Sequence, residues 1–128
     1  MSDRKTFVIF SLAIYNDIVN INKRFENGVQ VGSIDSVLHS ASYHSTVKSQ
    51  IAAILQGMDH LFANGNKRTM VETVQMLLNR MNINQNIPEE RIWEVVTRIA
   101  TGDLRGVENI RIALFGYLIY ILLIKREM

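Results

Sequence analysis

A run near the middle of the chain combines side chains that suit phosphate chemistry: His60-Leu61-Phe62-Ala63-Asn64-Gly65-Asn66-Lys67-Arg68-Thr69. The imidazole of His60 is a side chain that can accept a proton from a hydroxyl group. Lys67 supplies a mobile ammonium and Arg68 a planar guanidinium, and both groups bind phosphate oxygens. Gly65 tolerates a positive φ and lets the backbone approach a phosphate, while Asn66 can either bond a phosphate or hold the turn. The run therefore predicts a phosphate-binding turn with a general base just ahead of it.

The turn must be positioned by helices on both sides. A helix is expected directly after the run, because apolar residues recur at helical spacing there: Met70, Val74, Leu77 and Met81. The first N–H groups of a helix lack intrahelical partners and its dipole is positive at that end, so the turn favours an anion. The amides from Gly65 to Lys67 would then form an oxyanion nest. A solvated Asn-Gly corner beside a packed or surface histidine is the simpler alternative.

The run resembles the signature of the Fic/Doc family, whose members transfer AMP or a phosphate from a nucleotide onto a protein hydroxyl. That signature is His, any residue, Phe, any residue, Asp or Glu, Gly or Ala, Asn, Gly or Lys, Arg. The matching residues are His60, Phe62, Gly65, Asn66, Lys67 and Arg68. The resemblance implies that His60 is the general base, that Phe62 packs under the turn, and that the remaining four matching residues bind phosphate.

Two positions of the run, Lys67 and Asn64, bear on which activity within the family the chain resembles. Lys67 is typical of Doc-type toxins, which implies phosphate transfer from ATP or another nucleoside triphosphate to a Ser, Thr or Tyr hydroxyl. A Fic-type AMP transferase is the alternative. Asn64 stands where the family has an acid that helps to hold Mg²⁺, and a neutral amide oxygen is a poorer ligand for that cation. The second alternative is therefore a degenerate, non-catalytic interaction protein of Fic fold.

The resemblance extends beyond the run. Residues 51–57 are similar to the family's Ala-rich entry helix, residues 69–79 to its exit helix, and Ala100-Thr101-Gly102-Asp103 to a short element of Doc proteins. It implies a target protein that carries the hydroxyl, with a translation factor as one candidate, and a small antitoxin that blocks the groove. Val29 to Val31 is the expected flap for strand addition by the target, although a plain loop fits these residues equally well. The family's self-inhibiting motif has no full match, and Asn22 to Asn27 comes nearest.

Hydrophobic periodicity predicts an all-α fold: a compact bundle of about six helices with a short flap loop before the motif helices. We expect a single domain over residues 1–128. The expected helices are Thr6 to about Phe25, Asp35 to Ser42, a helix capped by Thr46 or Ser49 that delivers His60, a helix from the run to about Met81, one from Pro88 to Thr101-Gly102, and one from about Val107.

Composition excludes several classes of protein. The chain has no cysteine, so it has neither disulfides nor a thiolate nucleophile. A DNA-binding helix-turn-helix is a rival interpretation, because two helices are expected to flank a Gly-containing turn. The absence of Lys and Arg between Arg68 and Arg80 and the net charge of +2 disfavour it, so no nucleic-acid partner is expected. The apolar stretch from Ile110 to Ile124 contains Arg111 and is shorter than the roughly 20 residues of a bilayer span. We therefore expect a buried helix there, no membrane partner and a cytoplasmic protein.

Overall fold

The computed structural model describes residues 2–25, 28–83 and 85–116, with side chains from residue 13 onward. This part of the chain is all-α and contains no strand. Its six helices are α1 (Ser2–Phe25), α2 (Ile34–Ala41), α3 (Val47–Met58), α4 (Asn66–Arg80), α5 (Glu89–Ala100) and α6 (Val107–Phe115). The predicted all-α bundle of about six helices is confirmed. The second half of the apolar stretch from Ile110 to Ile124 lies outside the described residues.

Local sequence signals explain where the helices begin. The hydroxyl of Thr46 accepts a hydrogen bond from the amide of Ser49 at 3.1 Å, so Thr46 is the cap of α3 and Ser49 lies inside the helix. Ser33 caps α2 in the same way, through the amide of Ser36 at 3.1 Å. Pro88, which we expected at the first helical position of α5, is instead its cap residue, and Glu89 begins the helix.

Helix α3 contacts α2, α4 and α6, and α4 contacts α1, α3 and α5, so these two helices form the centre of the bundle. The inward side chains of α3 are at most 1% exposed, and they are Ile51, Ala52, Ile54, Leu55 and Met58. Helix α1 packs on α4 and α2, and α5 packs on α4 and α6. Since α3 ends at the buried Met58 and α4 holds the buried Met70 in its second turn, both ends of the intervening turn are fixed in the core.

Within the described ranges, no helix combines the length and the apolar character needed to cross a membrane.

Candidate functional site

The turn between α3 and α4, residues 59–65, carries three of the six predicted site residues, and the first turn of α4 carries the other three. Two residues of the α3–α4 turn adopt a positive φ, His60 at 69° and Gly65 at 78°. Histidine is among the few side chains that occupy the left-handed region with some frequency. Leu61 and Phe62 are buried, at 2% and 4% exposure, as the resemblance implied for Phe62. The backbone thus turns its apolar residues inward, and the side chain of His60 projects outward with 85% of its surface exposed.

The side chain of Asn66 closes this turn. Its Nδ2 donates to the carbonyl oxygen of Phe62 at 2.7 Å, and its Oδ1 accepts from the amide of Phe62 at 2.8 Å. Both halves of the amide group are therefore engaged with one residue of the turn. Of the two roles that the sequence left open for Asn66, the structure places its side chain in the role of holding the turn.

The N-terminus of α4 is open to an anion. Helix α4 begins at Asn66, its cap residue is Gly65, and no side chain caps its first turn. The first turn also contains no acidic residue, and Lys67 is exposed there. Because the first amides of a helix have no intrahelical acceptors and the dipole is positive, this end favours a phosphate group.

Arg68 lies beside this helix end but is held by other residues. Its guanidinium carbon is 4.5 Å from the ring centroid of Phe25 and 5.9 Å from that of Trp93. Its Nη2 is 3.2 Å from the Oε1 of Glu72, one turn further along α4. The Nε atom is buried and has no hydrogen-bond partner among the described residues. An anion that binds Arg68 must therefore share the guanidinium with Glu72.

His60 has a carboxylate neighbour. The Oδ2 of Asp59 is 3.3 Å from the Nε2 of His60, and the Asp59 side chain is only 21% exposed. In a neutral imidazole one ring nitrogen is a donor and the other an acceptor. A proton on Nε2 that faces Asp59 leaves the Nδ1 of His60 as the proton acceptor.

A flap, residues 28–32, lies against the turn as an extended segment. The amides of Val31 and Gly32 both donate to the carbonyl oxygen of Leu61 at 3.0 Å, and the amide of Ala63 donates to the carbonyl oxygen of Val29 at 2.8 Å. This antiparallel pairing directs the backbone N–H and C=O of Gln30 away from the turn. Val29 and Val31 are 70% and 65% exposed. The structure thus shows that this segment is extended and paired with the turn, and the docking of a target on its outer edge stays a prediction.

Asn22 joins the flap, the turn and α4, and sequence analysis did not identify it as a site residue. It is 1% exposed. Its Nδ2 donates to the carbonyl oxygen of Asn64 at 3.0 Å and to the Oγ1 of Thr69 at 3.1 Å, and its Oδ1 accepts from the amide of Gly28 at 2.7 Å. The available signal was a polar residue four positions after Ile18, on the apolar face of α1.

Gly28 is required where the flap crosses the turn. A Cβ atom at this position would lie 2.5 Å from the carbonyl oxygen of Asn64, which is closer than any side chain tolerates. The nearest match to the self-inhibiting motif, Asn22 to Asn27, ends in residues that lie outside the described ranges. Its first residue, Asn22, forms the three hydrogen bonds described above.

The residues present do not build a magnesium site. The side chain of Asn64 is exposed, and its backbone oxygen is engaged by Asn22. Two carboxylates of the adjoining segments, Asp59 and Glu72, pair with His60 and Arg68 respectively. In the described part of the chain, no three His, Asp or Glu side chains lie close enough together to hold a metal ion. A hard divalent cation prefers several oxygen ligands, which this neighbourhood does not supply.

His60 also borders an open groove of about 390 Å³ between the end of α3 and the α5–α6 turn. Gln56 and Asp59 line it on the α3 side, and Thr101, Gly102 and Arg105 line it on the other. The groove thus brings the predicted base together with the Ala-Thr-Gly element. None of the predicted phosphate-binding residues 65–68 lines this groove.

Comparison of the chain with protein-family models, with curated proteins and with solved structures finds no match.

Proposed function

We propose that this protein is a Doc-like member of the Fic/Doc family, which transfers the γ-phosphate of ATP or another nucleoside triphosphate to a Ser, Thr or Tyr hydroxyl of a target protein. The observation that supports the proposal most strongly lies in the α3–α4 turn. There, an exposed histidine stands ahead of an uncapped helix N-terminus that carries Lys67 and Arg68. A candidate proton acceptor and a candidate anion site thus lie within eight positions of the chain, on the turn and on the first turn of the helix that follows it.

In the proposed reaction, the imidazole of His60 takes the proton of the incoming hydroxyl. The hydroxyl oxygen forms a bond to the γ-phosphorus while the bond to the β–γ bridging oxygen breaks, and the nucleoside diphosphate leaves with that electron pair. Phosphoryl transfer needs little covalent chemistry from the protein, because positioning and charge stabilisation dominate. The amides at the start of α4, together with Lys67 and Arg68, supply the stabilising charge.

The flap offers the means of presenting the hydroxyl. The outward N–H and C=O of Gln30 can pair with an extended target segment, and the exposed side chains of Val29 and Val31 flank that edge. Magnesium would neutralise charge on the phosphates, as it does in other phosphoryl transfers. Since the residues present do not fit a protein-built magnesium site, no step is assigned to that ion.

The position of the transferred label tests the reaction type. Incubation of the chain and a bacterial lysate with ATP labelled at the γ-phosphate should label protein, whereas label at the α-phosphate should not. Protein labelled only from the α-phosphate would show AMP transfer, the alternative that the Fic resemblance allows, and would refute the reading of Lys67.

The base is tested by His60→Ala, with His39→Ala as the matched control. His39 is also exposed, but it lies on α2 and bonds Tyr43 at 3.1 Å. The loss of general base assistance should lower transfer by roughly 10²–10⁴-fold in the first variant. Transfer should be unchanged in the second variant. Equal transfer by both variants would exclude His60 as the base.

A non-catalytic interaction protein is the second candidate, and two observations favour it. Asn64 replaces the acid expected at the metal position, and the carboxylate of Glu72 pairs with the guanidinium of Arg68. If neither the natural chain nor Asn64→Asp transfers label, while both still bind ATP, this second candidate is the correct one.

A toxin role and a small antitoxin belong to the same proposal, since an active transferase with no inhibitor should harm its host. Soluble expression of the chain alone should therefore arrest growth and translation. Co-expression of a small protein encoded beside its gene should restore both. Unimpaired growth with the natural chain and with Asn64→Asp would refute the toxin role.

A further inference from the structure

We infer that Arg105 selects the target segment, by binding an acidic side chain of the target beside the hydroxyl that receives the phosphate. This inference rests on the proposed function. The groove that borders His60 supplies its first argument. A hydroxyl-bearing segment must reach His60, whereas the nucleotide phosphates must reach the start of α4. The groove contains His60 and none of residues 65–68, so a target segment that lies in it would reach the base without entering the proposed phosphate site.

Arg105 is the cation of this groove, and its guanidinium is already oriented. Its Nε donates to the carbonyl oxygen of Gly102 at 3.3 Å, and that turn residue has a φ of 80°. A Cβ atom on Gly102 would lie 2.9 Å from the Nη2 of Arg105, so the guanidinium lies directly over the glycine. The side chain is exposed, and among the described residues no carboxylate forms an ion pair with it.

Each of the other polar side chains that line the groove on either side of His60 already has one contact within the protein. Gln56 accepts from the amide of Gly106 at 2.7 Å, and the hydroxyl of Thr101 donates to the carbonyl oxygen of Arg98 at 3.2 Å. Asp59 pairs with His60. The terminal amino groups of Arg105 are therefore the strongest donors left for a ligand, and a planar guanidinium matches a carboxylate in a bidentate manner.

A carboxylate of the target is the ligand that this geometry fits. The phosphates have their own site at the start of α4, and a groove next to the base receives the residues that neighbour the acceptor hydroxyl. The rim of the groove is open to solvent, so the preference for an acidic residue should be modest, roughly three- to ten-fold in rate.

A positional-scanning peptide library tests the inference. Each peptide mixture carries one fixed Ser, Thr or Tyr, and Asp, Glu, Lys or Gln is fixed in turn at each flanking position. Label is supplied as γ-labelled ATP. With the natural chain, mixtures with an acid at one or two flanking positions should be labelled three- to ten-fold more than the matching Lys mixtures.

Three variants separate Arg105 from the rest of the surface. Arg105→Gln should abolish the preference for acidic peptides, and Arg105→Lys, which keeps the charge, should retain part of it. Arg98→Gln removes the same charge from a side chain that pairs with Asp103 and does not line the groove, and it should leave the preference intact. A preference that survives Arg105→Gln, or one that Arg98→Gln also removes, overturns this inference while leaving the proposed function in place. Absence of label in every form, on peptides and on lysate alike, overturns both.

Discussion

Asn22 links three segments of the candidate site through hydrogen bonds. Its replacement by aspartate, which has nearly the same shape, should weaken these links. Asn22→Asp keeps the acceptor for the amide of Gly28 but removes both donated hydrogen bonds, to the backbone oxygen of Asn64 and to the hydroxyl of Thr69. It also places a negative charge against two oxygen acceptors at a position that is 1% exposed. Asn20→Asp makes the same chemical change at an exposed position of the same helix and serves as the control.

The expected cost follows from these contacts. Each lost hydrogen bond in a buried site costs about 1–1.5 kcal/mol, and the unpaired carboxylate adds a desolvation cost. We therefore expect the free energy of unfolding to fall by about 2–4 kcal/mol at pH 7, and by less than about 0.5 kcal/mol in the control. Urea denaturation followed by circular dichroism gives both values.

The pH dependence distinguishes charge burial from simple bond loss. Burial raises the pKa of a carboxyl group, so the folded protein favours the protonated form of the introduced residue. The loss of stability in Asn22→Asp should consequently be smaller at pH 4 than at pH 7, since the destabilisation develops as pH rises above the unfolded pKa. A loss equal to that of Asn20→Asp at both pH values would show that the three hydrogen bonds do not hold the turn.

Three further changes probe the turn and its charges. Asn66→Ala removes both hydrogen bonds to Phe62 and should lower the free energy of unfolding by about 1–3 kcal/mol, measured by chemical denaturation without nucleotide. Unchanged stability would favour the phosphate-binding role of Asn66 instead. Glu72→Gln removes the carboxylate that pairs with the guanidinium of Arg68, so calorimetric titration should show ATP binding that is roughly two- to ten-fold tighter. Weaker binding would show that Glu72 does not compete with ATP for Arg68. Asn64→Asp should tighten ATP binding with Mg²⁺ and weaken it without, and a binding constant indifferent to Mg²⁺ would show that Asn64 does not occupy a metal position.

Local patterns were sufficient to predict the helices. The apolar spacing in α3 and α4 predicts both the helices and their buried faces, and the Asn-Gly pair between them predicts the intervening turn. The side-chain cap at Thr46 and the acidic first turn of α5 likewise depend on residues within four positions of each helix start. These features require no knowledge of how distant segments meet.

Contacts between distant segments could not be predicted in this way. The bonds from Asn22 to Asn64 and Thr69 span 42 and 47 positions of the chain. Arg68 lies over Phe25 because α1 packs on α4. A single sequence gives the period of each helix but not which residues of two packed helices face one another. The sequence therefore indicated that Arg68 was available for phosphate and did not reveal that the rings of Phe25 and Trp93 lie against it. The i,i+4 pair with Glu72, by contrast, is a local pattern that the sequence contains.

The bonds between Asn66 and Phe62 have a consequence for the kinetics of binding. The turn is closed by the protein's own amide group, so the conformational entropy of its residues is lost during folding and not when a ligand arrives. A phosphate that docks at the start of α4 meets amides that already point in the required directions. Association should then be a single bimolecular step whose observed rate rises linearly with ligand concentration, without the plateau that a rate-limiting loop closure produces.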